Sequence, residues 1–418
     1  MSGLNFINPF GVREDPGSLV GDFYTDNFSK SARPDTVILN LGPQHPSTHG
    51  VLRILAELDG EYIIRAEPVL GYLHRMHEKM GEVKTPWQFI PNMGRVDYLH
   101  PIAWNWAYVG AVERLAGIEV PKRAEYLRLI SCELNRIASH LMWWGAFVMD
   151  LGGVTPILYA FEEREKINDI LQIVTGSRLT LSYFRFGGVS TDADDRFIKL
   201  TKDFVPYLRE RLKMYKALVT DNVILRRRLE GIGPMGVDLC QRYGATGPIL
   251  RAAGLASDTR KDVPYGVYKS FDFPIPSGPT NDCMGRYLVR LAEVESSLTL
   301  VEEAIRDLPD GPIKIDKAPK ANYKLPAGET YFAVEGARGQ VGVHLVSDGG
   351  VRPYRIKLRA PGFSNLSLFA EAAQGTLLAD AIAILGSLDL VIPDGDRYGS
   401  AWGGRGTLDW PLGGASQK

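Results

Sequence analysis

Leu127, Ile130, Leu134, Ile137, Leu141 and Gly145 recur at three- and four-residue spacings, the period of a helix with one buried face. Pro121 stands just ahead, where a first-turn proline is tolerated, and "MDLGG" (149–153) ends the run. Thr155-Pro156 then opens a second helix that Gly176 stops. Further helices are predicted over about 193–229 and 283–307, and the four together predict a central bundle. The flanks follow a different pattern. "TVILNLG" (36–42) and "GVLRILAELDGEYIIRAEP" (50–68) read as strands, with Asp59-Gly60 as a hairpin turn. From about residue 325, "ETYFAVEG", "QVGVHLVSDGG" and "YRIKLRAP" read as strands, followed by short helices over about 365–374 and 377–388.

The predicted class is therefore α+β, a helical bundle between two β-containing segments. Its expected divisions are an irregular arm at 1–35, an N-terminal α+β segment at 36–118, the bundle at 119–324, a C-terminal α/β segment at 325–397 and a Gly-rich tail at 398–418. No internal repeat is present.

Composition narrows the class. With 418 residues and 45% hydrophobic content the chain can bury a large core in two or three packed subdomains. A net charge of −1 points away from nucleic acid and from an anionic membrane surface. No apolar run approaches the roughly 20 residues that span a bilayer. The opening "MSGLNFINPFGVREDPGS" lacks a secretory layout, so a soluble or peripheral protein on the cytoplasmic side is expected. Cys132, Cys240 and Cys283 are distant and odd in number, which argues against a disulfide framework. Without a C-x-x-C pair, this chain does not ligate a standard iron–sulfur cluster alone.

Five of the seven histidines lie between positions 45 and 100: His45, His49, His74, His77 and His100. Imidazole is a common metal ligand. Pro46, however, keeps His45 and His49 off a shared helical face, and no H-E-x-x-H occurs. His74 and His77, three apart on a predicted helix beside Glu78, could ligate; surface or packing histidines are the plainer reading. "GIGPMG" (231–236) matches G-x-G-x-x-G, but it follows the charged "ILRRRLE" rather than a buried strand and reads as a glycine-rich connection. "NMGRVDYLHP" gathers Arg95, Asp97, Tyr98 and His100, either a surface loop or, with His49, a pair of proton donors with ordinary pKa values near 10 and 6.5. A reaction that delivers electrons and then needs protons uses such a pair. Asp150 reads as a turn aspartate or as a carboxylate held at a helix junction.

"LNLGPQHPSTHGVLR", "GYLHRMHEK", "GRVDYLHP", "ELNRIASHL", "MDLGGVTP", "YAFEEREK", "LVSDGGVRPYRIKLRAPGF" and "GSLDLVIPDGDR" occur in this order. Together, from about Thr36 to Arg397, they resemble the D-type subunit family of bacterial respiratory complex I, the proton-pumping NADH:quinone oxidoreductase. That family descends from the large subunit of nickel–iron hydrogenases, whose fold the resemblance implies. Where the hydrogenases carry metal-binding cysteines, this chain has Asp97 and Tyr98 in place of Cys-Gly, and Val391 and Asp394 at a second cysteine pair. No thiolate remains to hold nickel, and in the family the emptied cavity takes the quinone headgroup.

The resemblance implies that His49 and Tyr98 bind and protonate the quinone and that Asp150 pairs with the histidine and passes a charge change toward the membrane. It further implies that Val391 lines the pocket and that Arg75 and Arg95 lie near a terminal [4Fe–4S] cluster carried by a neighbouring subunit. Implied partners are that cluster-bearing, B-type subunit, the C-type and I-type subunits, and the H-type membrane subunit. The assembly is expected at the plasma membrane, with this chain peripheral to it. The chain itself is expected to bind no cofactor, and menaquinone or ubiquinone is the implied substrate. Thr180 stands where many relatives have a histidine bonded to the cluster, a change that lowers the cluster potential and suits menaquinone. The same chain in a ferredoxin-fed complex is the alternative enzyme, and a scaffolding remnant the non-enzymatic one.

Overall fold

The computed structural model describes residues 28–29, 32–44 and 50–396. An antiparallel sheet opens the fold, with β1 (Val37–Leu41), β2 (Arg53–Asp59) and β3 (Tyr62–Val69) in the order β1-β2-β3. β2 is buried on both faces from Arg53 to Leu58. Two short helices follow, α1 (His77–Val83) and α2 (Pro86–Met93). Next comes α3 (Pro101–Ala116), buried at every position from Pro101 to Glu113. A helix apolar on all sides belongs inside a protein, and it carries no polar face to generate a periodic signal.

The bundle is built on α4 (Lys122–Asp150), with α5 (Thr155–Thr175), α6 (Asp195–Tyr215) and α8 (Cys283–Arg306) around it. The predicted helix over 193–229 is in fact two. α6 passes into a π-helical turn at Lys216–Thr220 and the chain restarts as α7 (Val223–Leu229). The break has a local cause: the Asn222 side chain accepts from the Ile224 N–H at 2.8 Å, a cap that begins a new helix.

A second antiparallel sheet, β4 (Gly328–Gly336), β5 (Gly339–Ser347) and β6 (Arg355–Arg359), packs β4 on α3. Arg114 of α3 lies over the Phe332 ring, 4.8 Å from its centroid, and donates to the Tyr331 carbonyl at 2.9 Å. Two last helices are α9 (Leu378–Ser387) and α10 (Ile392–Gly395). The C-terminal segment returns to the first hairpin, where the Ile63 N–H donates to the Thr376 carbonyl at 2.9 Å and the Gly375 N–H to the Ile63 carbonyl at 2.7 Å. The two β-containing flanks thus meet against the bundle.

One sequence reading is adjusted and another agrees with the fold. The helix expected to carry both His74 and His77 starts only at His77, because Met76 takes a left-handed conformation at φ 52°. His74 lies outside it, its Nδ1 3.1 Å from the Asp396 carbonyl, and the pair shares no helical face. "GIGPMG" connects α7 to a short helix at Val237–Arg242, with Gly231 and Gly233 at φ 74° and 56°. Among the described residues no helix is long and apolar enough to cross a membrane.

Candidate functional site: a tyrosine loop on a buried arginine

The segment from Gly94 to His100 joins α2 to α3 and sorts its side chains by direction. Asp97 and His100 point inward and are buried, whereas Arg95 and Tyr98 face outward. Gly94 makes the sharp exit possible: a side chain there would come within 3.0 Å of the Leu181 carbonyl, which places the 180–181 segment against this loop. Thr180 is in that segment, with φ 51°.

Asp97 does two things at once. Its Oδ1 accepts from the Leu99 and His100 N–H groups at 3.0 and 3.1 Å, which fixes the turn, and its Oδ2 accepts from Arg338 Nη1 at 2.8 Å. Arg338 sits at the turn between β4 and β5 and is only 1% exposed. Its other arm meets Asp389 Oδ1 at 3.2 Å, and Nη1 also reaches Ser139 of α4 at 3.2 Å. Burial alone would depress the guanidinium, but Asp389 and Asp97 outweigh it and hold the arginine charged. Asp389 takes φ 54°, a conformation that aspartate and asparagine tolerate better than most side chains. One cation therefore ties together the 94–100 loop, α4, the β4–β5 turn and the 388–394 segment.

Tyr98 lies over this cluster with 37% of its surface exposed. Burial raises its pKa, Arg338 opposes, Asp97 and Asp389 add to the rise, and Arg75 opposes. The net direction is upward, so the phenol stays protonated at neutral pH and can give a proton. Arg75 Nη2 donates to the Arg95 carbonyl at 2.5 Å, so the two arginines and Tyr98 form one surface. Val391, two residues after Asp389 and 1% exposed, leads into α10. His49 lies outside the described residues; a side chain on Gly50, which follows it, would meet Ile392 at 3.0 Å.

His100 belongs elsewhere. Its Nδ1 accepts from the Ala337 N–H at 2.9 Å and its Nε2 lies 3.2 Å from the Cys132 carbonyl. Burial, with Arg136 second, pushes its pKa well down, so it is a neutral packing residue. Asp150 ends α4 eleven residues beyond Ser139, about 16 Å along the helix. It is not in the tyrosine cluster. Instead the following turn, from Leu151 to Pro156, lines a cavity of about 490 Å³ with Leu218, Ile224 and Arg228. Among the described residues no group of three or more His, Cys, Asp or Glu side chains is placed to hold a metal ion.

The family model of the respiratory-chain NADH dehydrogenase 49 Kd subunit matches residues 150–397, more than half of the chain. The chain belongs to that family. It is 57% identical over 363 residues to the second D-type subunit of NADH-quinone oxidoreductase from Opitutus terrae, covering 87% of this chain and 91% of the relative. The D-type subunit of NADH-quinone oxidoreductase from Desulfotalea psychrophila is 55% identical, with 87% of this chain and 97% of that one covered. In structure the chain is similar to a chain of the membrane-bound sulfane sulfur reductase, an archaeal respiratory membrane complex. The TM-score is 0.83 at 36% identity, over 87% of this chain and 99% of that one. The 49 Kd family supplies one chain of an oxidoreductase complex, and its mixed helix-and-strand fold is the one seen here.

Two members of the cluster in this 49 Kd family chain escaped the sequence reading, Arg338 and Asp389. Their partners are remote in sequence: Arg338 is 241 residues from Asp97 and 51 from Asp389. A weaker signal existed in "ELNRIASHL", where Glu133, Arg136 and His140 share the apolar face of α4 with Ile130, Ile137 and Leu141, and all are buried. Charges on a buried stripe must have partners.

Proposed function

We propose that the Tyr98 loop is a quinone-reduction site and that this chain works in the peripheral arm of a proton-translocating NADH:quinone oxidoreductase. The supporting observation is a protonated, half-exposed phenol held above a buried arginine that two carboxylates keep charged. Two-electron reduction of a quinone makes its oxygens strongly basic. Tyr98 donates one proton, and His49, which precedes Gly50 in the sequence, the other. Arg338 then stabilises the charge left on the tyrosine oxygen. Electrons come from the [4Fe–4S] cluster of the neighbouring B-type subunit, and the Arg75–Arg95 pair is the surface suited to face it. Val391 lines the pocket, and Asp150 carries the charge change on toward the H-type membrane subunit. The C-type and I-type subunits complete the surroundings, with the chain peripheral on the cytoplasmic side of the membrane.

The test is Tyr98→Phe in the assembled complex. Quinone turnover should fall by a hundredfold or more, roughly what a positioned proton donor contributes, while NADH oxidation with artificial acceptors persists. Unchanged quinone turnover refutes the assignment. The likeness to a chain of a sulfane sulfur reductase, a respiratory membrane complex not named for NADH, leaves one second reading, the same chain in a complex fed by another donor such as ferredoxin. Whether an NADH-oxidising module copurifies with this chain separates the two.

A further inference from the structure

"ELNRIASHL" places His140 beside Ser139, the residue that touches Arg338, and buries it 2% exposed inside the bundle. Its Nε2 is 3.0 Å from Glu293 Oε2 on α8. Arg251 holds Glu293 ionised, donating from Nε at 2.9 Å and from Nη2 at 2.5 Å. An ionised carboxylate can only accept, so Nε2 carries the hydrogen and Nδ1 is a bare lone pair. That Nδ1 is buried and has no hydrogen-bond partner among the described residues. His100 shows the contrast, since both of its ring nitrogens are engaged.

The unpartnered nitrogen is not isolated. Asp389 Oδ2, Arg290 Nε and Nη2, and Arg338 Nε are also buried without hydrogen-bond partners among the described residues, with Arg290 Nε 3.7 Å from Asp389 Oδ2. Open donors and acceptors buried together are the setting that ordered water fills. Asp389 is the shared neighbour: it grips Arg338 beneath Tyr98 and acts electrostatically on both Tyr98 and His140.

We propose that His140 is a proton-holding residue acting on the reaction through Tyr98. When Tyr98 gives its proton to the reduced substrate, a proton from solvent water binds His140 Nδ1. No electrons move in this step: one negative charge appears on the tyrosine oxygen and one positive charge on the imidazole, so the buried cluster keeps its net charge. The proton leaves again when Tyr98 is reprotonated. From the elements around it, the imidazole faces Glu293 and Arg290 of α8, Asp389 ahead of α10 and His100 ahead of α3, with Arg136 one turn away on α4. Burial lowers its pKa while Glu293 and Asp389 oppose, so it rests neutral and able to accept.

The inference rests on the quinone-site reading, and the experiment separates their failures. The assembled complex carries His140→Gln, whose amide still donates to Glu293 but does not titrate. Quinone turnover should fall about tenfold, less than for a group touching the reacting atoms, with activity toward artificial acceptors intact. The turnover–pH profile should lose its acid limb, where the wild-type histidine is already protonated. In a second variant, Asp389→Asn, the new residue suits the left-handed turn, and the limb should move to lower pH because the imidazolium loses its negative neighbour. A profile of wild-type shape in either variant, whatever its height, overturns the proposal. If Tyr98→Phe is inactive while both profiles keep their shape, only the His140 inference fails; if Tyr98→Phe turns over fully, the site reading fails first.

Discussion

Two clusters of buried charge lie on neighbouring turns of α4, and they are finished differently. In the first, Glu133 accepts from Tyr268 and Ser297, both at 2.6 Å, and from Arg136 Nε and Arg260 Nη1, both at 3.1 Å. Arg260 in turn grips Asp258 from Nε at 3.0 Å and Nη2 at 2.7 Å. Apart from one Arg136 nitrogen, these polar atoms are satisfied within the protein. In the second, around Arg338, Asp389, Arg290 and His140, each of the four keeps at least one buried polar atom without a hydrogen bond among the described residues. The first cluster staples α4 to α8 and to the 258–268 segment. The second sits under the exposed tyrosine with capacity unused. Near-complete satisfaction fits a scaffold; unused hydrogen-bonding capacity beneath a half-exposed phenol fits the proposed site.

The sharpest way to break this contrast is to remove Glu133. Glu133→Ala leaves Arg136 and Arg260 buried without their shared carboxylate and should destabilise the chain by about 3–5 kcal/mol, read as a lower denaturation temperature and reduced assembly of the complex. Acid reaches the same cluster without mutation. Burial alone would raise the Glu133 pKa, but Arg136 and Arg260 bring it from 4.5 to about 2. A depressed folded-state pKa stabilises fully above 4.5, and that contribution disappears as pH falls toward 2. Amide exchange along α4 should rise over this window in the wild type and much less in the variant.

Arg338→Lys probes the other cluster more gently. Lysine keeps the charge but cannot fork between Asp97 and Asp389. Leaving one buried carboxylate short of a partner costs about 1–3 kcal/mol, below the loss at Glu133. Quinone turnover should nonetheless fall more than in Glu133 variants that still assemble, because the lost fork anchored the Tyr98 loop. Equal turnover losses would erase the distinction between scaffold and site.

How legible these regions were in the sequence follows the same divide. Periodicity found α4, Lys122–Asp150, and α5, Thr155–Thr175, nearly to the residue, because each has capping or breaking residues at its ends and polar side chains spaced regularly among its apolar ones, even where, as in α4, those polar side chains are buried. It missed α3, whose buried surface offers no contrast, and it merged α6 with α7 across a π-helical turn. The family resemblance singled out Tyr98, Arg75 and Arg95 as candidates, and these three share one surface. Arg338 and His140 were given no role, His140 even though its motif was quoted, because pairing with Asp389 and Glu293 spans 51 and 153 residues and exists only once the chain is packed.

The smallest effect calibrates the comparison. Arg209 of α6 also bridges two carboxylates, Glu295 Oε1 and Glu302 Oε2 of α8, both at 2.7 Å. In bond length it equals or betters Arg338. Its setting differs: Arg209 is 29% exposed and its partners 51% and 52%, so water already solvates all three charges and salt screens their attraction. Ordering three long side chains offsets most of the remaining gain. Arg209→Ala should therefore cost only about 0.2–1 kcal/mol, shrink further in high salt, and leave quinone turnover unchanged. A loss comparable to that of Arg338→Lys would mean that bond geometry, rather than burial, sets the worth of these bridges.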